Sequence, residues 1–156
     1  MPFPQVGDIA PDFATQTDLG EDVKLSDYQG QTVVLYFYPK ADTPGCTKQA
    51  CAYRDNYDAF AERGVPVLGI SHDTVEEQAT FKQKFALPFT LLADPNAEIA
   101  KMYDLWTERT VERDGKSRTF QFIERSTLVI DQDGTVIFSA RGVDPTTDTQ
   151  AVLDEL

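Results

Sequence analysis

The chain has 156 residues, 41% of them hydrophobic and 26% charged, which fits one globular domain with a continuous core and excludes a low-complexity or fibrous protein. Its formal net charge is −12, from 26 acidic against 14 basic residues, which argues against nonspecific nucleic-acid binding and against an anionic membrane surface as partner. Apolar stretches such as Val33–Tyr38 are strand-length and far too short to span a bilayer.

Residues 1–30 are rich in turn formers (Pro4, Gly7, Pro11, Gly20, Gly30), with strand-like pieces around Asp12–Ala14 and Val23–Leu25. They lack the apolar core and basic flank of a signal peptide, so a cytoplasmic location is expected. Thr32–Tyr38 (TVVLYFY) is a near-continuous run of β-branched and aromatic residues, the pattern of a strand buried on both faces. Thr43 then supplies an N-cap and Pro44 a first helical residue whose missing N–H costs nothing. Ala50, Tyr53, Tyr57 and Phe60 recur at helical spacing, and Gly64 is a natural terminator. Val65–Ser71 returns as another buried strand, completing a βαβ crossover. His72, just beyond it, is expected at a strand end without catalytic duty.

A second helix is predicted over Val75–Phe85, a short strand over Phe89–Leu92, and a third helix from about Asn96 to Tyr103. Thr107–Ser117 is polar and reads as a loop or hairpin extension. Arg118–Asp131 and Thr135–Ala140 flank Asp133-Gly134, a strong two-strand turn signal. Thr146–Leu156 is expected to form a short final helix. With no repeat or linker, residues 1–156 read as a single α/β domain with a central mixed sheet and helices on both faces.

The two cysteines, Cys46 and Cys51, carry the chemistry. In a chain expected to be cytoplasmic they point to redox or catalytic thiols and away from a disulfide framework. With the single His72 they also fall short of the about four ligands of a structural zinc site. Counting from Thr43 as N-cap, Cys46 is the third helical residue. Free N–H groups and the helix dipole stabilise an anion there by up to about 1–2 kcal/mol. A thiolate is such an anion, and favouring it is how a cysteine becomes a nucleophile at neutral pH. Gly45 carries no side chain to block approach to the sulfur. The Thr43 hydroxyl can either cap the helix or donate to the thiolate or a bound oxygen.

On the helical wheel Cys46 lies in the stripe of Ala50, Tyr53, Tyr57 and Phe60, while Cys51 lies about 140° away, towards Asp55 and Asp58. Their Cα atoms would be roughly 8–9 Å apart on an intact helix, whereas a disulfide needs less than about 7 Å. The two can therefore bond only if part of the helix unwinds. Cysteine is also a common buried hydrophobe, and for Cys51 alone that reading stays open. The CxxxxC spacing argues against a CxxC-type protein disulfide reductase, and a stoichiometric redox sensor stays open beside a catalytic thiol.

Pro39, Thr43 and Cys46, in FYPKADTPGCTKQAC, match the PxxxTxxC pattern of peroxiredoxins, and the step to Cys51 resembles the bacterioferritin-comigratory-protein or peroxiredoxin Q subfamily. GDIAPDF, LPFTLLAD and ERSTLVID extend the resemblance over nearly the whole chain. It implies a thioredoxin-like fold and reduction of hydroperoxides without metal, haem or flavin. It further implies recycling by thioredoxin or a glutaredoxin-like reductant, and a monomer. By resemblance Cys46 is the peroxidatic and Cys51 the resolving cysteine. Thr43 would bond the peroxide oxygens, Pro39 would shield the thiolate, and Arg125 would stabilise thiolate and leaving oxygen. From the residues alone, Arg125 could equally be a surface cation at a strand start. Two departures stand out: Gln49 replaces the glutamate of many relatives, so any role of that carboxylate would be filled without charge, and the final helix looks short.

Overall fold

The computed structural model describes residues 2–156. Two short strands come first, β1 (Ala14–Thr17) and β2 (Asp22–Lys24), followed by a 3-10 turn over Leu25–Tyr28. Then come β3 (Val33–Tyr38), the helices α1 (Pro44–Asp55) and α2 (Tyr57–Glu62), and β4 (Val67–Ser71). Helix α3 (Val75–Phe85), strand β5 (Thr90–Ala93) and helix α4 (Glu98–Met102) follow. The chain closes with β6 (Trp106–Arg113), β7 (Lys116–Ile123), β8 (Ser126–Ile130), β9 (Val136–Arg141) and α5 (Asp148–Asp154).

Seven strands form one mixed sheet in the order β2-β1-β5-β4-β3-β8-β9. β3 sits among parallel β4 and antiparallel β8, and all six of its residues are buried. Alternation along the strand divides them. Val33, Leu35 and Phe37 enter a core with Phe13, Ile99 and Tyr103, against the N-terminal segment and α4. Val34, Tyr36 and Tyr38 enter another with Cys46, Ala50, Tyr53, Phe60, Phe81 and Val152, against the remaining helices. Tyr36 stacks on Tyr53 of α1 at 4.6 Å between ring centroids, which fixes the helix to the sheet and adds about 0.5–1.5 kcal/mol beyond area burial.

Most element ends shift by one or two residues from the sequence expectation, and the larger differences have identifiable causes. The helix predicted to run on through Phe60 breaks at Asn56, whose side-chain Nδ2 donates to the Ala52 carbonyl at 2.8 Å and competes with the backbone ladder. Helix α4 starts at Glu98, not Asn96, because Ala97 is left-handed (φ 57°) and the Asp94 carboxylate accepts from the Ile99 and Ala100 N–H groups. The long strand predicted over Arg118–Asp131 is two strands in two sheets. β7 pairs with β6 as an exposed hairpin, the polar segment expected as loop or hairpin, whereas β8 lies in the main sheet, and Glu124 and Arg125 form the joint. The first strand begins at Ala14 and not Asp12.

Gly69, on buried β4, is where a close approach requires glycine: a Cβ there would lie 2.9 Å from Tyr36 Cζ and Oη and 3.0 Å from Leu91 Cδ2. Gly69→Ala is therefore expected to destabilise the fold by about 1–3 kcal/mol, read as a lowered urea midpoint at unchanged m-value.

Candidate active site

The site lies where β3 ends. Its last residue, Tyr38, runs into the turn Pro39–Thr43 and then α1. The turn is held from two sides: the Ala41 N–H donates to Asp73 at 2.8 Å, and Asp42, in the left-handed region at φ 61°, pairs with Lys84 of α3 at 2.7 Å. Pro39 is half-buried at the strand end. Thr43 is the N-cap residue by backbone conformation, with Pro44 first in the helix, as the sequence predicts. Its hydroxyl neither caps the helix nor meets the sulfur; it donates to the Lys40 carbonyl at 2.8 Å and so closes the turn.

Cys46 is in the first turn of α1 and is 1% exposed. Cys51 is partly exposed on the same helix, and both thiols are free. The antiparallel pairing of β8 with β3 sets Ser126 opposite Phe37, so Arg125 emerges at the same sheet end as α1 begins. Its Nη2 donates to Cys46 Sγ at 3.3 Å and its Nη1 to Gln49 Oε1 at 2.7 Å. Gly45 allows this: a Cβ there would come within 3.1 Å of Arg125 Nη2. The missing side chain makes room for the guanidinium as well as for a reactant.

Gln49 is fully buried and passes the contact on. Its Nε2 donates to Asp148 Oδ2 at 2.9 Å. The same oxygen accepts from Tyr53 Oη at 2.7 Å and Thr127 Oγ1 at 2.9 Å, while Oδ1 has no partner among the described residues. Burial pushes the Asp148 carboxyl above its ordinary range, against the opposing pull of these donors and of Arg125. Burial likewise pushes the Tyr53 and Tyr36 hydroxyls well up, so both stay neutral. Asp148, Tyr53 and Thr127 were not legible as site residues. Asp148 stands 99 positions from Gln49, and no local pattern announces the contact.

Other features lie apart from this chemistry. Exposed His72 packs edge-on against Trp106 at 4.8 Å, in keeping with a strand-end position. An apolar cavity of about 480 Å³, lined by Leu25, Tyr28, Val33 and Ile130, opens at the opposite end of β3. Among the described residues no group of three or more His, Cys, Asp or Glu side chains is placed to hold a metal, and no helix is long and apolar enough to cross a membrane.

A buried first-turn thiol is thus contacted by an arginine from the joint that precedes β8. The model of the AhpC/TSA family matches residues 6–139. The chain belongs to the AhpC/TSA family. Peroxiredoxin Bcp of Bacillus subtilis (strain 168) is 45% identical over 139 residues, 89% of this chain and 86% of that protein. Peroxiredoxin Bcp of Escherichia coli (strain K12) is 45% identical over 132 residues, 85% and 82% of the two chains. Among solved structures, a cysteine mutant of Xylella fastidiosa PrxQ matches with a TM-score of 0.88 at 28% identity, covering 97% of this chain and 94% of that one. Peroxidoxin BcpB of Mycobacterium tuberculosis matches with a TM-score of 0.83 at 32% identity, covering 97% and 96%. These likenesses identify a peroxiredoxin of the Bcp/PrxQ subfamily, a thiol peroxidase with a thioredoxin-like fold.

The buried carboxylate gives this peroxiredoxin a pH signature. Because Asp148 titrates above its ordinary 3.8 in the folded state, the folded protein holds that proton more tightly than the unfolded chain does. The linked stability is full below 3.8 and lost as pH rises through the folded value. Asp148→Asn has no such proton to lose. Its stability relative to the parent is expected to rise across that interval and stay level beyond it, as urea midpoints at a series of pH values measure.

Proposed function

We propose that this peroxiredoxin reduces hydroperoxides with Cys46 as the attacking thiol and Cys51 as the resolving one, through an intramolecular disulfide that a thioredoxin-type dithiol reduces. The observation that carries the reading is the 3.3 Å contact from Arg125 to the Cys46 sulfur in the first turn of α1. A fixed cation there favours the thiolate and is placed to stabilise charge developing on a departing oxygen. Pro39 covers the approach to the sulfur, and Thr43, one turn before it, bonds the incoming peroxide once its hydroxyl leaves the Lys40 carbonyl.

In the first step the Cys46 thiolate attacks one peroxide oxygen. An S–O bond forms, the O–O bond breaks, and the leaving oxygen takes a proton to become water or an alcohol, leaving sulfenic acid on Cys46. In the second step the Cys51 sulfur displaces that hydroxyl, which leaves as water, and the disulfide forms. An external dithiol then restores both thiols by exchange and is itself oxidised to a disulfide. Hydrogen peroxide and organic hydroperoxides both fit this chemistry.

The second step requires motion. Cys46 is packed in the core stripe with Ala50 and Tyr53, and Cys51 points about 140° away on the intact helix. The first turns of α1 must unwind and the Gln49 contacts must part before the sulfurs meet. Cys46→Ser is expected to abolish peroxide consumption in stopped-flow assays. Cys51→Ser is expected to keep the first oxidation and lose turnover with thioredoxin. Oxidised wild-type chain should show an intramolecular loss of two hydrogens by mass spectrometry. Peroxide turnover by Cys46→Ser would sink the assignment, and dimers held by intermolecular disulfides alone would sink the unwinding step.

A further inference from the structure

We infer that Asp148 is a positioning residue of the peroxidase: through Gln49, its carboxylate holds the Arg125 guanidinium against the Cys46 sulfur. The inference rests on Cys46 being the thiol that meets peroxide. A glutamine amide has an accepting end and a donating end of nearly the same shape, so a buried glutamine can present either to a neighbour. With its –NH2 turned to Arg125, Gln49 would set donor against donor and push the guanidinium away. Instead Oε1 faces Arg125 at 2.7 Å.

The other end of the amide selects this orientation. Gln49 Nε2 lies 2.9 Å from Asp148 Oδ2, which already accepts from Tyr53 Oη and Thr127 Oγ1. Oδ2 takes the hydroxyl protons of Tyr53 and Thr127 and so stands as an acceptor, and Gln49 offers its –NH2 to α5 and its carbonyl to Arg125. The chain of hydrogen bonds therefore has a direction, with donors running outward from Arg125 to the sulfur on one side and through Gln49 to Asp148 on the other. Gly45 bounds Arg125 on one side only, Nη2 lying 3.1 Å from where a Cβ would stand, so the Gln49 carbonyl is what fixes the other guanidinium nitrogen. A buried carboxylate whose Oδ1 has no partner among the described residues is a costly group. Its contact with the amide sets which end of Gln49 meets Arg125.

The test measures the second-order rate of Cys46 with hydrogen peroxide and, separately, with iodoacetamide, the modified residue being identified by mass spectrometry. Asp148→Ala removes the acceptor and is expected to lower both rates about tenfold or more, as a shifted guanidinium would. Asp148→Asn keeps an accepting oxygen and is expected to lose less. Gln49→Glu in the Asp148→Ala background is expected to recover much of the loss, because a carboxylate presents an acceptor to Arg125 in either orientation. The same Gln49→Glu change beside intact Asp148 sets two carboxylates together and is expected to slow the reaction. Asp148→Ser, too short to reach Gln49, is run in parallel with the same expected loss and rescue, so a folding defect of the alanine variant does not decide the matter. A wild-type rate in Asp148→Ala or Asp148→Ser, or no recovery on adding Gln49→Glu, would overturn the inference. A wild-type protein that reacts with iodoacetamide in this pattern but not with peroxide would overturn the reading of Cys46 and leave the positioning role standing.

Discussion

Burial of β3 on both faces is the constraint on which the rest depends. A strand with no charged residue from Val33 to Tyr38, only aliphatic and aromatic side chains, must be covered above and below, and alternation sends its side chains into two separate cores. Covering the even-numbered face brings α1 down onto Tyr36. Completing the hydrogen bonds of β3 on its free side brings in β8. Both consequences converge at one end of the strand, where the first turn of α1 and the residue before β8 meet. The Cys46–Arg125 contact is thus a product of sheet topology. Two segments 79 residues apart are placed together by the need to bury one strand.

The packing that forms the site also opposes the proposed cycle. Cys46, Gln49, Ala50 and Tyr53 are the buried residues of α1, and each fully buried large side chain contributes roughly 1.5–3 kcal/mol relative to exposure. Unwinding the first turns to bring Cys46 to Cys51 gives up part of that burial and the hydrogen bonds of Gln49. The break at Asn56 limits the extent of the change, because α2 and Phe60 belong to a separate helical piece. Local opening of this kind draws on less than the global stability of the fold.

Much of this was legible in the sequence because it is local. The buried strand, the Thr43-Pro44 helix start and the angular offset of Cys46 from Cys51 all follow from spacing along fewer than thirty residues. What stayed hidden is tertiary. Arg125 reads as a surface cation until the pairing of β8 with β3 is known, and only family resemblance singled it out. The substitution of Gln49 was visible, but not the carboxylate on α5 that it reaches. The Thr43 hydroxyl was open between two roles and took a third, since Lys40 offers a carbonyl three residues back. Asn56 could not be seen to break the helix, because its side-chain bond to Ala52 competes with a backbone bond of similar strength.

The joint at Glu124 and Arg125 separates two regimes of variation. Beyond it the β6–β7 hairpin projects with most of its length exposed, turning at Asp114-Gly115. Residues gained or lost at that tip change the reach of an exposed ladder and leave the main sheet alone. At the base the case is reversed: one residue inserted between Arg125 and Ser126 would slide the arginine by about 3.3 Å relative to the sulfur. Evolution can therefore adjust the size and outline of this arm freely, while the spacing of a few residues at its root is fixed by a thiol on another part of the chain.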